Sequence, residues 1–249
     1  MSSTFSQYWR EARSPRYSLT FALPLLLLYE VLAFTLSRGE VTAVRNGADV
    51  LLKSLFLTLG GRNGLLVFGA LLVGGGAVMV WRDIRRTGRI EPRYFVGMAG
   101  EAVAYALVFG MVAGTLTTLL LPGMALIGNA RRLAAGLLAE FSLPTQLMIS
   151  LGAGIYEELL FRVILVGGLA WVAGKVLGLS RLTAGILAVM LGALIFSTFH
   201  YIGPYGEPFE LGSFTFRTVA GVLFSGLYLV RGFGITAWTH ALYDVFLTV

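Results

Sequence analysis

Two adjacent carboxylates and a guanidinium interrupt the apolar stretch AGIYEELLFRVILVGGLAWVAG at residues 153–174. Glu157, Glu158 and Arg162 occupy positions where a lipid-facing helix carries leucine. Glu158 and Arg162 are four apart with the acid first, so the spacing predicts an intrahelical ion pair on one face. Glu157 is turned about 100° away on a helix, and is left to find another partner or a water. Candidates are few, because the chain has two histidines. His200 ends the run IFSTFHY. His240 lies in AWTHALYDVF, with Asp244 four residues on and therefore on the same helix face.

Ionisable groups inside apolar spans are costly and by default mark function. A carboxylate in a low-dielectric cavity is a stronger base than one in water. An imidazole beside it can help hold a water, and a second imidazole with a short polar group can donate to a developing oxyanion. That is the equipment for hydrolysing an acyl bond with activated water. Ser197 and Thr198 lie next to His200, but no base and orienting group accompany them, so no covalent nucleophile is expected. Two histidines and a glutamate could instead hold zinc with an open position. Against this, the chain lacks H-E-x-x-H, the spacing that puts two ligands and a base on one helix.

The elements that must position these groups are membrane helices. Of 249 residues, 57% are hydrophobic and 13% charged, against about a quarter charged in soluble domains. Cysteine is absent, which removes disulfides, thiolate nucleophiles and cysteine-based metal sites. The net charge of +6 comes from arginines in short loops, a pattern that orients a membrane protein and argues against nucleic acid as a partner. Apolar runs of spanning length fall near 18–36, 64–81, 94–121, 144–172, 182–200, 213–230 and 233–248. The shorter segment 48–59, with Lys53, is expected to lie in the interface or re-enter, and makes an eighth span possible. The sequence therefore predicts an all-α polytopic bundle of seven to eight transmembrane helices forming one membrane domain. The N-terminal 18 residues read as a retained polar tail. Gly74–Gly76 and the Gly110/Gly114 pair are expected to bring helices into close contact. Glu30 and Glu101, single acids in the first and third spans, read as structural: neutral and hydrogen-bonded, or near an interface. With seven spans, eleven of the nineteen Lys and Arg residues fall on the side of the N-terminus, a bias toward a cytoplasmic N-terminus.

Depth poses a difficulty. If the fourth span starts at 144, Glu157 is about 20 Å along it, whereas His200 is about 27 Å along a fifth span starting at 182. For the two to meet, the helices must be longer, tilted or differently started.

Three motifs carry a resemblance. EELLFR at 157–162 matches EExxxR, FSTFH at 196–200 matches FxxxH, and HALYD at 240–244 matches HxxxN/D. In this order, on separate late spans, they resemble the CAAX-protease and bacteriocin-processing (Abi) family, which includes the prenyl-protein endopeptidases of the endoplasmic reticulum. The resemblance covers about residues 94–248, leaving the tail and first two spans at 1–93 unassigned. It implies a glutamate-dependent hydrolase without metal or other cofactor. Glu157 would activate water, His200 would hold it, and His240 with residue 244 would form an oxyanion hole. Glu158 and Arg162 would support the site. The implied partners are the lipid bilayer and a hydrophobic or lipidated peptide, in the prenyl branch a C-terminal CAAX sequence cut after cysteine. The implied setting is a bacterial plasma membrane. Position 244 departs from the prenyl branch, which has Asn there. An ionised Asp repels an oxyanion, so Asp244 either carries a proton or orients His240. A non-catalytic scaffold acting in bacteriocin immunity and an intramembrane metalloprotease stand as alternatives.

Overall fold

The computed structural model describes residues 2–36, 44–122, 141–203 and 206–248, and helices are the only regular elements among them. A tail helix α1 (Ser2–Glu11) leads into α2 (Pro15–Leu36), whose first position holds proline, where the missing N–H costs nothing. Asn46 caps α3 (Gly47–Gly69) by accepting from the Ala48 N–H. This helix runs on through a π-helical stretch, π1 (Ala70–Gly75), into α4 (Gly76–Thr87). After α5 (Arg93–Leu120) comes a second composite: α6 (Leu143–Gly152), π2 (Ala153–Val166) and α7 (Gly167–Lys175). Ser180 caps α8 (Arg181–Phe199), and α9 (Leu211–Arg231) and α10 (Phe233–Thr248) follow.

Five stretches are long and apolar enough to cross a membrane: α2, α3 through α4, α5, α8 and α9. The chain is an integral membrane protein. All seven predicted runs fall in helices, but two are not among these five. Glu157, Glu158 and Arg162 lower the apolar share of the α6–π2–α7 composite, and α10 has 16 residues.

The segment 48–59 is the first arm of a bent helix. Gly61 has φ +56 and breaks the helix, a conformation open mainly to glycine. The Phe68 ring returns to 5.2 Å from Phe56, where a straight helix would separate residues twelve apart by about 18 Å. The expected glycine contacts are only partly made. A Cβ at Gly74, Gly75, Gly76 or Gly114 would meet nothing within 4 Å, while one at Gly110 would lie 2.9 Å from the Tyr243 ring. Gly74 and Gly75 instead end the π-helical stretch.

The last helix is the hub of the bundle: α10 packs against α2, α5, α6, π2 and α9. One end of the bundle gathers the tail, the 82–93 loop and the α9–α10 corner. The Arg16 N–H donates to Asp83 at 3.0 Å, the Glu91 N–H to the Tyr17 hydroxyl at 2.9 Å, and Arg231 Nη1 to the Trp9 carbonyl at 2.9 Å. The polar tail is thus a docked helix, and three arginine-bearing segments assigned to one side do share one end. Arg38, Arg131 and Arg132, assigned to the other side, lie outside the described residues, as do positions 204 and 205 of the segment after His200. Glu101 and Glu30 each face a cation. Arg231 reaches both oxygens of Glu101 at 2.7 and 2.8 Å, and Lys53 donates to Glu30 at 2.9 Å.

Candidate active site

The site forms where π2, the end of α8 and the middle of α10 meet. The 10, 14 and 9 residues of α6, π2 and α7 make one continuous helix, longer than a bilayer is thick at 1.5 Å per residue. From the turn at 176–180, α8 folds back along it. The Phe199 ring lies 5.4 Å from Phe161, and a Cβ on Gly192 would stand 2.5 Å from Val166. This antiparallel register brings His200 level with Glu157 and removes the difference in depth. Counting from residues 144 and 182 compares two run starts and leaves out the register that pairs Phe161 with Phe199. On the other side, α10 comes close because Gly154 has no side chain: a Cβ there would be 2.4 Å from the Ala237 carbonyl and 2.6 Å from the Ala241 methyl.

The two glutamates are held differently. Glu158 is fully buried and shared. One oxygen lies 2.7 Å from His240 Nδ1, and the other 3.2 Å from Arg162 Nε. The Arg162 guanidinium lies over two rings, 4.5 Å from the Phe196 centroid and 5.4 Å from that of Phe224. Glu157 keeps 8% of its surface accessible, so of the two acids it is the one that can meet water. Its Oε1 accepts from Asn46 Nδ2 at 2.8 Å, and the carboxylate interacts electrostatically with His200 and His240.

Each histidine has one nitrogen committed. His200 Nδ1 is 2.9 Å from the Phe196 carbonyl. A carbonyl only accepts, so Nδ1 carries the proton and the Nε2 lone pair of the neutral ring is free. His240 Nδ1 faces the Glu158 carboxylate and therefore also carries a proton. Its ring stacks on Phe224 at 4.3 Å. His240 Nε2 lies 3.7 Å from Asp244 Oδ2, beyond a hydrogen bond. Glu158 thus holds one nitrogen of the His240 ring and Asp244 stands at ion-pair distance from the other. The hydroxyls of Ser197 and Thr198 donate to the Phe214 and Leu194 carbonyls at 2.7 and 2.8 Å.

Beside the site an apolar hollow of about 460 Å³ opens between α3, π2, α7 and α8. Leu51, Leu160, Ile164 and Ile195 help wall it, and it abuts the site through Phe161 and Phe199. Among the described residues no three His, Asp or Glu side chains are grouped as ligands for a metal ion.

The pairings missed from sequence are Asn46 with Glu157 and Glu158 with His240. They join residues 111 and 82 positions apart, and no local spacing marks either. The only local sign at Asn46 is its fitness as a helix cap ahead of an apolar run.

A helical membrane bundle with a buried acid–imidazole cluster on its late helices is the class that fold and site define. Within it, residues 139–246 match the family model described as type II CAAX prenyl endopeptidase Rce1-like. This match bears out the resemblance drawn from the three motifs, and residues 139–246 carry the pattern of the CAAX-protease family. No curated protein and no solved structure matches the chain.

Proposed function

We propose that the protein is an intramembrane, glutamate-dependent endopeptidase of a bacterial plasma membrane, with α6–π2–α7 and α10 crossing the bilayer as well. It hydrolyses a peptide bond near the C-terminus of a membrane-associated, CAAX-like substrate. The observation that carries this reading is the contrast between the acids. Glu158 is sealed and tied to two cation-forming groups, whereas Glu157 is held by one neutral amide and keeps access to water beside two imidazoles.

The chemistry follows from the free atoms. Glu157 Oε2 takes a proton from a water, whose other hydrogen is accepted by His200 Nε2. The water oxygen bonds to the scissile carbonyl carbon, and the carbonyl oxygen becomes an oxyanion. An imidazolium at position 240, with Nδ1–H on Glu158, presents Nε2–H to that oxyanion. Asp244 adds a donor only in its carboxylic acid form. The proton held by Glu157 then passes to the leaving nitrogen as the C–N bond breaks. The apolar hollow suits a greasy or lipidated part of the substrate.

The test is cleavage of a farnesylated CAAX-type peptide by the purified protein in detergent. Glu157→Gln keeps the shape but cannot take a proton. It is expected to lower kcat by about 10²- to 10⁴-fold with an unchanged melting temperature. Wild-type cleavage by that variant would overturn the mechanism. Chelator-treated protein is expected to stay active; loss of activity that zinc restores would favour a metalloprotease. An unchanged set of membrane-protein C-termini in cells lacking the protein would favour the scaffold.

A further inference from the structure

We infer that Asn46 is a positioning residue for Glu157. It fixes one carboxylate oxygen from outside the family-like stretch and leaves the other oxygen to the water. This rests on the water-activating role of Glu157 proposed above.

The orientation of the amide is settled by its surroundings. Asn46 is buried, and its Oδ1 accepts from the Ala48 N–H at 2.9 Å. An N–H can only donate, so the oxygen must face Ala48 and the NH2 group must face Glu157. The anchorage continues behind it. The Asn46 N–H points at the Tyr29 hydroxyl at 3.4 Å, and that hydroxyl donates to Asp49 at 2.7 Å. Asp49 in turn meets Lys53 at 2.7 Å and Arg45 at 3.2 Å. The approach also needs Gly152, because a Cβ there would stand 2.6 Å from Asn46 Cβ and 2.5 Å from the Tyr29 ring. A neutral amide orients the carboxylate plane without the cost in basicity that a cation in its place would bring. The bent helix α3 begins at this residue, 93 positions before the matched stretch starts, and so belongs to the site.

Two variants separate positioning from folding. Asp and Ser cap helices about as well as Asn, so Asn46→Asp and Asn46→Ser both keep the start of α3. Neither gives Glu157 a donor near neutral pH: ionised Asp has none, and Ser is too short. With the farnesylated peptide, kcat is expected to fall about 10- to 100-fold in both variants at about pH 7.5, with KM within about twofold of wild type. On acidification toward about pH 6, Asn46→Asp is expected to recover relative to wild type, because a protonated Asp donates an O–H to Oε1. Asn46→Ser is expected not to recover. Infrared difference spectra of Asn46→Asp should show a protonated-carboxyl band that grows in on acidification toward about pH 6, absent from wild type and lost when Glu157→Gln is added.

Unchanged kcat in both variants alongside an inactive Glu157→Gln would overturn the inference, as would absence of the infrared band. If wild type fails to cleave the peptide, or Glu157→Gln cleaves it normally, the proposed function falls instead. The band would still report whether residues 46 and 157 touch.

Discussion

Two of the arginine–glutamate pairs among the described residues, Arg231–Glu101 and Arg162–Glu158, are held in opposite ways. At the tail end, Arg231 donates to both oxygens of Glu101 and to the Trp9 carbonyl, with the Trp9 ring 3.8 Å away. In the site, Arg162 meets Glu158 through one 3.2 Å contact. Among the described residues its Nε, Nη1 and Nη2 have no hydrogen-bond partner; the guanidinium lies over the Phe196 and Phe224 rings instead. A buried pair repays its desolvation only when geometry and remaining donors are satisfied. Arg231 meets that condition and ties three segments together. Arg162 does not, and its spare donors lie beside the groups proposed to act on substrate. Similar side chains thus make a fastening at one end and an unsaturated cluster in the site.

The comparison can be broken at several points. Arg231→Ala is expected to have the largest effect on folding, about 3 kcal/mol for the loss of a fully buried guanidinium and the isolation of its half-buried carboxylate partner, seen as a large drop in melting temperature. Cleavage per folded molecule should survive. Gly154→Ala is expected to cost about 1–3 kcal/mol, by overpacking α10 against π2, and to lower kcat because His240 rides on α10. Arg162→Lys keeps the charge but loses the guanidinium's cation–π contacts with Phe196 and Phe224. Its stability should fall by about 1–2 kcal/mol, with a larger proportional loss of kcat. A melting temperature lower than that of Arg231→Ala would refute the contrast. The smallest effect is expected for Ser197→Ala, about 1 kcal/mol from one hydrogen bond to a backbone carbonyl, with cleavage within about twofold. Inactivity there would point to a serine nucleophile.

What the sequence makes legible is set by distance along the chain. The Glu158–Arg162 and His240–Asp244 neighbourhoods follow from four-residue spacing on a helix, and the helices follow from apolar runs. The sharing of Glu158 between Arg162 and His240 does not follow, because it depends on α10 lying on Gly154. Nor does Asn46, whose approach depends on Gly152 lacking a side chain. The bend at Gly61 is equally hidden: hydropathy is blind to backbone direction, so the arm at 48–59 reads as a short, ambiguous segment. Glu101 and Glu30 read as lone acids because their cations lie 130 and 23 residues away. The depth difference between Glu157 and His200 arose from counting each from the start of its own apolar run, which says nothing of the register in which the two helices pack.

The fastening of the last helix to the first span has a consequence for how the chain is made. Arg231 reaches Trp9 across 222 positions, the Gly234 N–H reaches Ser18 across 216, and Trp238 reaches the Phe21 carbonyl across 217. Until residues 231–240 are made, Glu101 has no guanidinium and Glu158 no imidazole, although the first span can already pack on α4 and α6. The same ten residues, 231–240, carry both the contacts that fasten the tail end and the imidazole that meets Glu158. Closing of the tail end and completion of the acid–imidazole cluster are therefore coupled through one short stretch of chain.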